Sequence, residues 1–230
     1  MRAKNQPSMA QPVVRFASGE EVAVGTIFCV GRNYAQHAKE MGSEIPSEPF
    51  IFLKPPTAIV GTGDSVRIPP VSTDLHHEVE LVVLIDKVMK DVSRTEALDG
   101  VAAVAVGLDM TLRDVQAVAK REGKPWSVAK GFDTSAPVGP LLRVDRIGRI
   151  SDLTFTLKVN GEVRQRGEWS GMIFSVAELL SWLSTIFTLR PGDLLFTGTP
   201  EGVGRVVPGD LLEAVIQGYE ESLLQVVVAD

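Results

Sequence analysis

Cysteine is all but absent: the 230-residue chain holds one, Cys29. A single thiol excludes a disulfide framework and a cysteine-built zinc site, and in the apolar context IFCVG it reads as a small core residue. Runs of Lys and Arg are missing too. With a net charge of −6 and no basic cluster, the chain lacks the footprint that phosphate binding needs, which excludes nucleic acid as a partner. No apolar run approaches the length of a membrane-spanning helix. The opening MRAKNQPSMAQP lacks the apolar core of a secretory leader. Low-complexity stretches and linkers are absent as well. The expectation is a soluble, cytoplasmic protein with a loosely ordered lead over 1–20 and one domain over 21–230. Its 44% hydrophobic content suffices for a sizeable core.

Apolar runs bounded by turn signals predict strands at TIFCVG (26–31), FIFLK (50–54) and 78–86, and the apolar VAAVAVGLD (101–109) leads to Asp109. NYAQHAKEMG predicts a short helix with Asn33 as N-cap and Gly42 as its stop. Capping boxes at Ser93/Glu96 and Ser175/Glu178 open further helices, and residues 111–122 have helical spacing up to Gly123. LTFTLKVNGEVRQ alternates around Asn160-Gly161, a hairpin signal. The pentapeptide PGDLL occurs at 191–195 and 208–212. It reads as two tight turns entering strands rather than as a repeat. The pattern is mainly antiparallel strands with a few helices, without the regular alternation of a doubly wound sheet.

The stretch 78–86 carries Glu78 and Glu80 at the head of a near-continuous apolar run. Side chains two apart in a strand share a face, with Cβ atoms roughly 6 to 7 Å apart. Two carboxylates aimed at one site repel, and a hard divalent cation is their natural partner; an edge strand with one wet face would also carry them. A third acid, Asp109, precedes a helical segment, where it is a metal-ligand candidate or an N-cap. Arg113 and Gln116 share one helix face. Lys130, in the apolar WSVAKGF, either has a setting that depresses its pKa or aims it at an anion, or is an ordinary snorkelling surface lysine. His37 and Glu40, three apart on a helix, form the carboxylate-imidazole pair a general base needs, or a solvated surface pair. His76 and His77 read as surface or supporting groups, since magnesium prefers oxygen. The glycine-rich GTPEGVG lacks the Gly-Lys-Ser/Thr ending of a phosphate loop and better suits backbone amides approaching a carboxylate.

Taken in order, GRNYAQHAKEMG, PFIFLKPPTAIV, HHEVELVVLI, GLDMTLRDVQ, PWSVAKGFD, VNGEVRQ, MIFSVAELL and FTGTPEGVG resemble the fumarylacetoacetate hydrolase family, most closely its short acylpyruvase branch. The resemblance runs from about Ile27 to Val228. It implies a β-rich α+β fold, a β-sandwich or roll with a few peripheral helices, usually assembled as a homodimer. It implies a magnesium ion, with manganese or calcium as alternatives, held by Glu78, Glu80 and Asp109. Lys130 matches the family's active-site lysine, and Arg113 and Gln116 match a polar pair that stabilises developing negative charge. His37 and Glu40 match an acylpyruvase dyad on a lid-like segment. Thr199 matches a position near the substrate carboxylate, and Gln165 another polar position. The implied substrate is a small 2-oxo acid, and the implied reaction is hydrolysis of an acylpyruvate such as fumarylpyruvate or acetylpyruvate. Oxaloacetate decarboxylation and isomerisation of a 5-carboxymethyl-2-hydroxymuconate type diene are alternatives on the same site. A non-catalytic, metal-stabilised binding protein would keep the three acids without an acid-base group, and His37, Glu40 and Lys130 count against it.

Overall fold

The structure, a computed structural model, describes residues 11–40 and 46–230. The apolar runs form the strands expected of them and assemble into a six-stranded sheet in the order Leu142–Arg143, Val101–Leu108, Val79–Ile85, Leu194–Phe196, Ile27–Gly31, Phe50–Lys54. A five-stranded sheet runs Glu162–Glu168, Thr154–Val159, Leu211–Ile216, Tyr219–Ala229, Ser65–Arg67. Leu81, Val83 and Ile85 share one apolar core with Phe155, Leu157, Leu212 and Leu224 of the second sheet. Val82 and Leu84 point the other way and share a second core with Phe16, Val24, Ala136 and Leu141. The strand Val79–Ile85 is thus buried on both faces, which is why its sequence is a run rather than an alternation. Short helices lie at the periphery, and the fold is a β-rich α+β sandwich. Among the described residues no helix is long and apolar enough to cross a membrane.

Local chemistry sets the connections. Asn160 and Gly161 have φ of 52° and 83°, the pair of positive values that a two-residue hairpin requires. In both copies of PGDLL the glycine has positive φ, 91° at Gly192 and 95° at Gly209, and each turn leads into a strand. At Ser175 the capping box is complete: the Glu178 amide donates to Ser175 Oγ at 3.3 Å, and the Ser175 amide donates to Glu178 Oε2 at 3.0 Å. Donation to the Glu178 carboxyl from the Ser175 amide and hydroxyl, with Arg94 nearby, holds it below its ordinary value of 4.5. A lowered acid stabilises the fold above its unfolded value, and that share is lost as pH falls through the lowered one. Ser175→Ala is expected to cost about 1 kcal/mol. In a chain of this size the melting temperature then falls by about 2–4 °C, a shift that thermal denaturation at neutral pH reads directly.

Two expectations need correcting. Part of the lead expected to be loose is ordered: Val13–Arg15 pairs with Glu21–Ala23, and Val14 and Phe16 are buried against the outer face of the six-stranded sheet. Residues 1–10 lie outside the described residues. Asn33 is not a helix cap. The helix is Ala35–Glu40, and the Asn33 carboxamide instead donates to Thr197 O at 2.7 Å and Phe174 O at 3.0 Å while accepting from Phe174 N. A fully buried carboxamide takes whichever backbone groups lack partners, and here these belong to distant loops. Gly42, the expected helix stop, lies outside the described residues.

Candidate functional site

The register of two neighbouring strands brings the three acids together. Val79 pairs with Leu108 and Glu80 with Gly107, and beyond the ladder the Asp109 amide donates to Glu78 O at 2.8 Å. Glu78, Glu80 and Asp109 therefore sit on one face at one end of the sheet. Each offers a carboxylate oxygen within 4.8 Å of the others, and all three are buried. Gly107, opposite Glu80, keeps the strands close: a Cβ there would meet Val82 Cγ2 at 2.6 Å. The six apolar residues of Val79–Ile85 each contribute about 1.5–3 kcal/mol by burial, enough to outweigh the several kcal/mol that the Glu80 carboxylate costs.

Three cations answer the acids. Lys130 Nζ lies 2.7 Å from Glu78 Oε2 and 2.5 Å from Asp109 Oδ2. Arg113 Nη2 lies 2.6 Å from Glu78 Oε1. Lys54 Nζ lies 2.8 Å from Asp109 Oδ1, yet without hydrogen-bond alignment, so that buried oxygen keeps its lone pairs unused. Lys54 also donates to the Lys130 carbonyl. Burial pushes the Glu78 carboxyl up, but Lys130 and Arg113 outweigh it and hold Glu78 below the usual carboxylate range. Glu80 behaves in the opposite way: burial first, then Asp109 and Glu78, push it well above its ordinary value. Burial pulls the Lys130 ammonium down, while Asp109 and Glu78 more than compensate and raise it. Of the two settings expected for Lys130, the one found is the lysine aimed at anions.

Glu80 accepts one hydrogen bond among the described residues, from Gly198 N at 2.7 Å. The glycine-rich loop thus does bring an amide to a carboxylate, and the carboxylate is the protein's own. Gly198 has φ +99°, and a Cβ there would meet Asn33 Cβ at 2.6 Å. Gly198→Ala is expected to cost roughly 1–3 kcal/mol through backbone strain and crowding and to displace the amide from Glu80. Thermal denaturation reads the first effect; calorimetric titration with magnesium or manganese reads the second as weaker binding.

His37 lines the same cavity as the three acids, Arg113, Gln116, Lys130 and Thr199. Its Nδ1 lies 3.3 Å from Glu40 Oε2. Glu40 is partly exposed and accepts from Gly202 N at 3.2 Å, tying the helix to the glycine-rich loop. Gln116 accepts from Arg113 Nη1 at 2.8 Å, leaving its amide NH2 as the donor available to a ligand. Thr199 donates its hydroxyl to Val79 O and accepts from Gln165 Nε2, both at 2.9 Å. Gln165 is fully engaged, since its Oε1 also takes His77 Nδ1 at 2.9 Å and Val79 N at 3.0 Å. It fixes Thr199 and the loop rather than facing the cavity. His77 and His76 stand behind the site, and burial lowers the pKa of both. Sequence reasoning missed Lys54, whose side chain is fully buried. The signal was a lysine closing the apolar strand FIFLK, where a buried ammonium demands an acid.

Three buried carboxylates with converging oxygens, one of them carrying unused lone pairs and another displaced toward its neutral form, fit a hard divalent cation. The donor set is all oxygen, as magnesium or manganese prefers.

Known proteins share this arrangement of sequence and fold. Residues 26–227 match the family model described as "Fumarylacetoacetate (FAA) hydrolase C-terminal". The chain is 50% identical over 192 residues to "Oxaloacetate tautomerase FAHD1, mitochondrial" of Rattus norvegicus, covering 84% of this chain and 87% of that protein. It is 45% identical over 199 residues to "Oxaloacetate decarboxylase, mitochondrial" of Dictyostelium discoideum, covering 86% and 91%. Among solved structures, fumarylpyruvate hydrolase from Pseudomonas aeruginosa, in complex with Mn2+ and pyruvate, superposes with a TM-score of 0.91 at 40% identity, covering 98% of this chain and 99% of that one.

Proposed function

The chain belongs to the fumarylacetoacetate hydrolase family, and from that premise we propose that it is a divalent-metal enzyme that interconverts or cleaves small 2-oxo acids, with oxaloacetate as the leading substrate. The observation that carries this is the convergence of Glu78, Glu80 and Asp109 in a cavity that also holds His37. The oxaloacetate tautomerase and decarboxylase relatives support this choice over acylpyruvate hydrolysis. Hydrolysis remains the second reading, favoured by the fold of the fumarylpyruvate hydrolase and by a dyad able to activate water.

A divalent cation held by Glu78, Glu80 and Asp109 would supply Lewis-acid polarisation of the 2-oxo group. The remaining work falls to the chain's own side chains. With Nδ1 turned to Glu40, His37 has Nε2 left to exchange a proton. It takes a proton from C3 of oxaloacetate and returns it to oxygen in tautomerisation, or delivers one to C3 after the distal carboxylate has left. In the hydrolytic alternative the same nitrogen deprotonates water. Lys130 commits two of its three N–H donors to Glu78 and Asp109 and turns the third to negative charge developing on the substrate oxygen. Gln116, steadied by Arg113, adds a neutral donor.

The test is a parallel assay of purified protein with magnesium and with EDTA. Enol–keto exchange of oxaloacetate, release of carbon dioxide and hydrolysis of acetylpyruvate are followed separately. Oxaloacetate turnover, lost with EDTA and restored by magnesium, is the expected result. Faster acetylpyruvate cleavage would move hydrolysis to first place, and no turnover with any metal would favour the binding protein. A cytoplasmic homodimer is the setting we propose. Light scattering checks the assembly, and cell fractionation checks the location against the mitochondrial relatives.

A further inference from the structure

Two cations at the cavity rim take no part in the carboxylate cluster. The three acids pair with Lys54, Arg113 and Lys130, and among the described residues no carboxylate pairs with Arg32 or Lys120. Arg32 lines the cavity beside His37 and also the wider groove that opens from it, as Lys120 and Trp126 do. The backbone of Arg32 is left-handed, φ 63°, a conformation that Gly or Asn adopts far more readily. The arginine there holds a backbone strain that a glycine would avoid, and such strain gathers where ligands are bound. Lys120 Nζ sits 5.1 Å from the centroid of the Trp126 ring. Burial, with Arg113 and Arg32 close by, lowers its pKa. Both cations line the same opening, and their mutual repulsion would be relieved by an anion bound there.

Phe52 and Trp126, with ring centroids 5.9 Å apart, also line both cavity and groove. The path from the acids is therefore partly apolar and ends in unpaired positive charge at the rim. We propose that Arg32 and Lys120 form a second anion subsite that takes the far carboxylate of a 2-oxo dicarboxylate, making the protein selective for diacids over monoacids. The subsite rests on the 2-oxo acid reading above and adds which members of that class are bound.

Calorimetry with the magnesium-loaded protein tests it, using two series matched in length: oxaloacetate, 2-oxoglutarate and 2-oxoadipate against 2-oxobutyrate, 2-oxopentanoate and 2-oxohexanoate. A charge-assisted contact corresponds to roughly tenfold or more in affinity. At one chain length at least, the diacid is expected to bind about tenfold tighter than its monoacid. Arg32→Asn tolerates the same backbone and should abolish that preference while monoacid affinity stays within about twofold. Arg32→Lys should keep part of it, and Lys120→Gln should reduce it without touching the left-handed turn. Monoacids binding as tightly as diacids at every length would overturn the subsite and leave the 2-oxo acid reading standing. A diacid preference untouched by both Arg32→Asn and Lys120→Gln would also overturn it. Binding of neither series would overturn both.

Discussion

Glu80→Gln is expected to yield a protein more stable than the parent without metal and inactive with it. The Glu80 carboxyl is pushed well above its ordinary 4.5 by burial and by Asp109 and Glu78. A raised acid costs the fold nothing below its unfolded value, and the cost grows as pH rises toward the folded one. At neutral to alkaline pH the parent bears that cost, whereas a neutral carboxamide of the same shape does not. The variant should therefore melt higher than the metal-free parent, and the gap should close as pH falls toward 4.5. Magnesium reverses the order. At about one hundred times its dissociation constant an ion adds about 2.7 kcal/mol to the parent, and the variant, short of one charged ligand, should respond little. Lewis-acid assistance is worth several kcal/mol, so turnover should fall by at least about 1,000-fold. A Glu80→Gln protein that still melts higher with magnesium and still turns over oxaloacetate would remove Glu80 from the metal site.

His37→Ala is expected to separate chemistry from metal binding. The ring hydrogen-bonds to Glu40 rather than to any of the three acids and sits on a different element, so the magnesium-induced rise in melting temperature should survive. A positioned general base contributes about 100- to 10,000-fold, and kcat should fall within that range with a smaller change in KM. Glu40→Gln should cost less, because the amide oxygen still accepts from Nδ1 and holds the ring in place. Turnover at the parent rate in His37→Ala would show that the proton moves elsewhere.

The acidic cluster was legible from sequence because strand parity is a local rule. Glu78 and Glu80 share a face wherever the strand goes, and Asp109 ends another long apolar run, which pairs beside the first. The buried run itself announced a strand covered on both sides. Capping boxes and the Asn160-Gly161 hairpin were legible for the same reason, since each is settled by neighbours three residues away or fewer. What escaped depends on partners far along the chain. Lys54 reads as an ordinary strand-end lysine until its distance to Asp109 is known. Asn33 reads as a cap because its true acceptors, Thr197 and Phe174, lie 164 and 141 residues on. No rule marks Arg32 as left-handed, for an arginine carries no conformational signature of the kind glycine does. The N-terminal hairpin could have been found: Val-Val-Arg and Glu-Val-Ala flank Ser18-Gly19, and Gly19 takes φ 91°.

The three clustered acids and the His37–Glu40 pair grow from elements of very unequal anchorage. Glu80 lies within a strand buried along its whole length, whereas His37 and Glu40 ride on a six-residue helix whose Lys39 and Glu40 are open to solvent. In native-state hydrogen exchange, amides of Val79–Ile85 should exchange only through global unfolding, while those of Ala35–Glu40 exchange through openings of far lower free energy. On the proposed reading, the base would then swing away to admit substrate or free product many times within the lifetime of a single folded molecule, while the three acids stay in place.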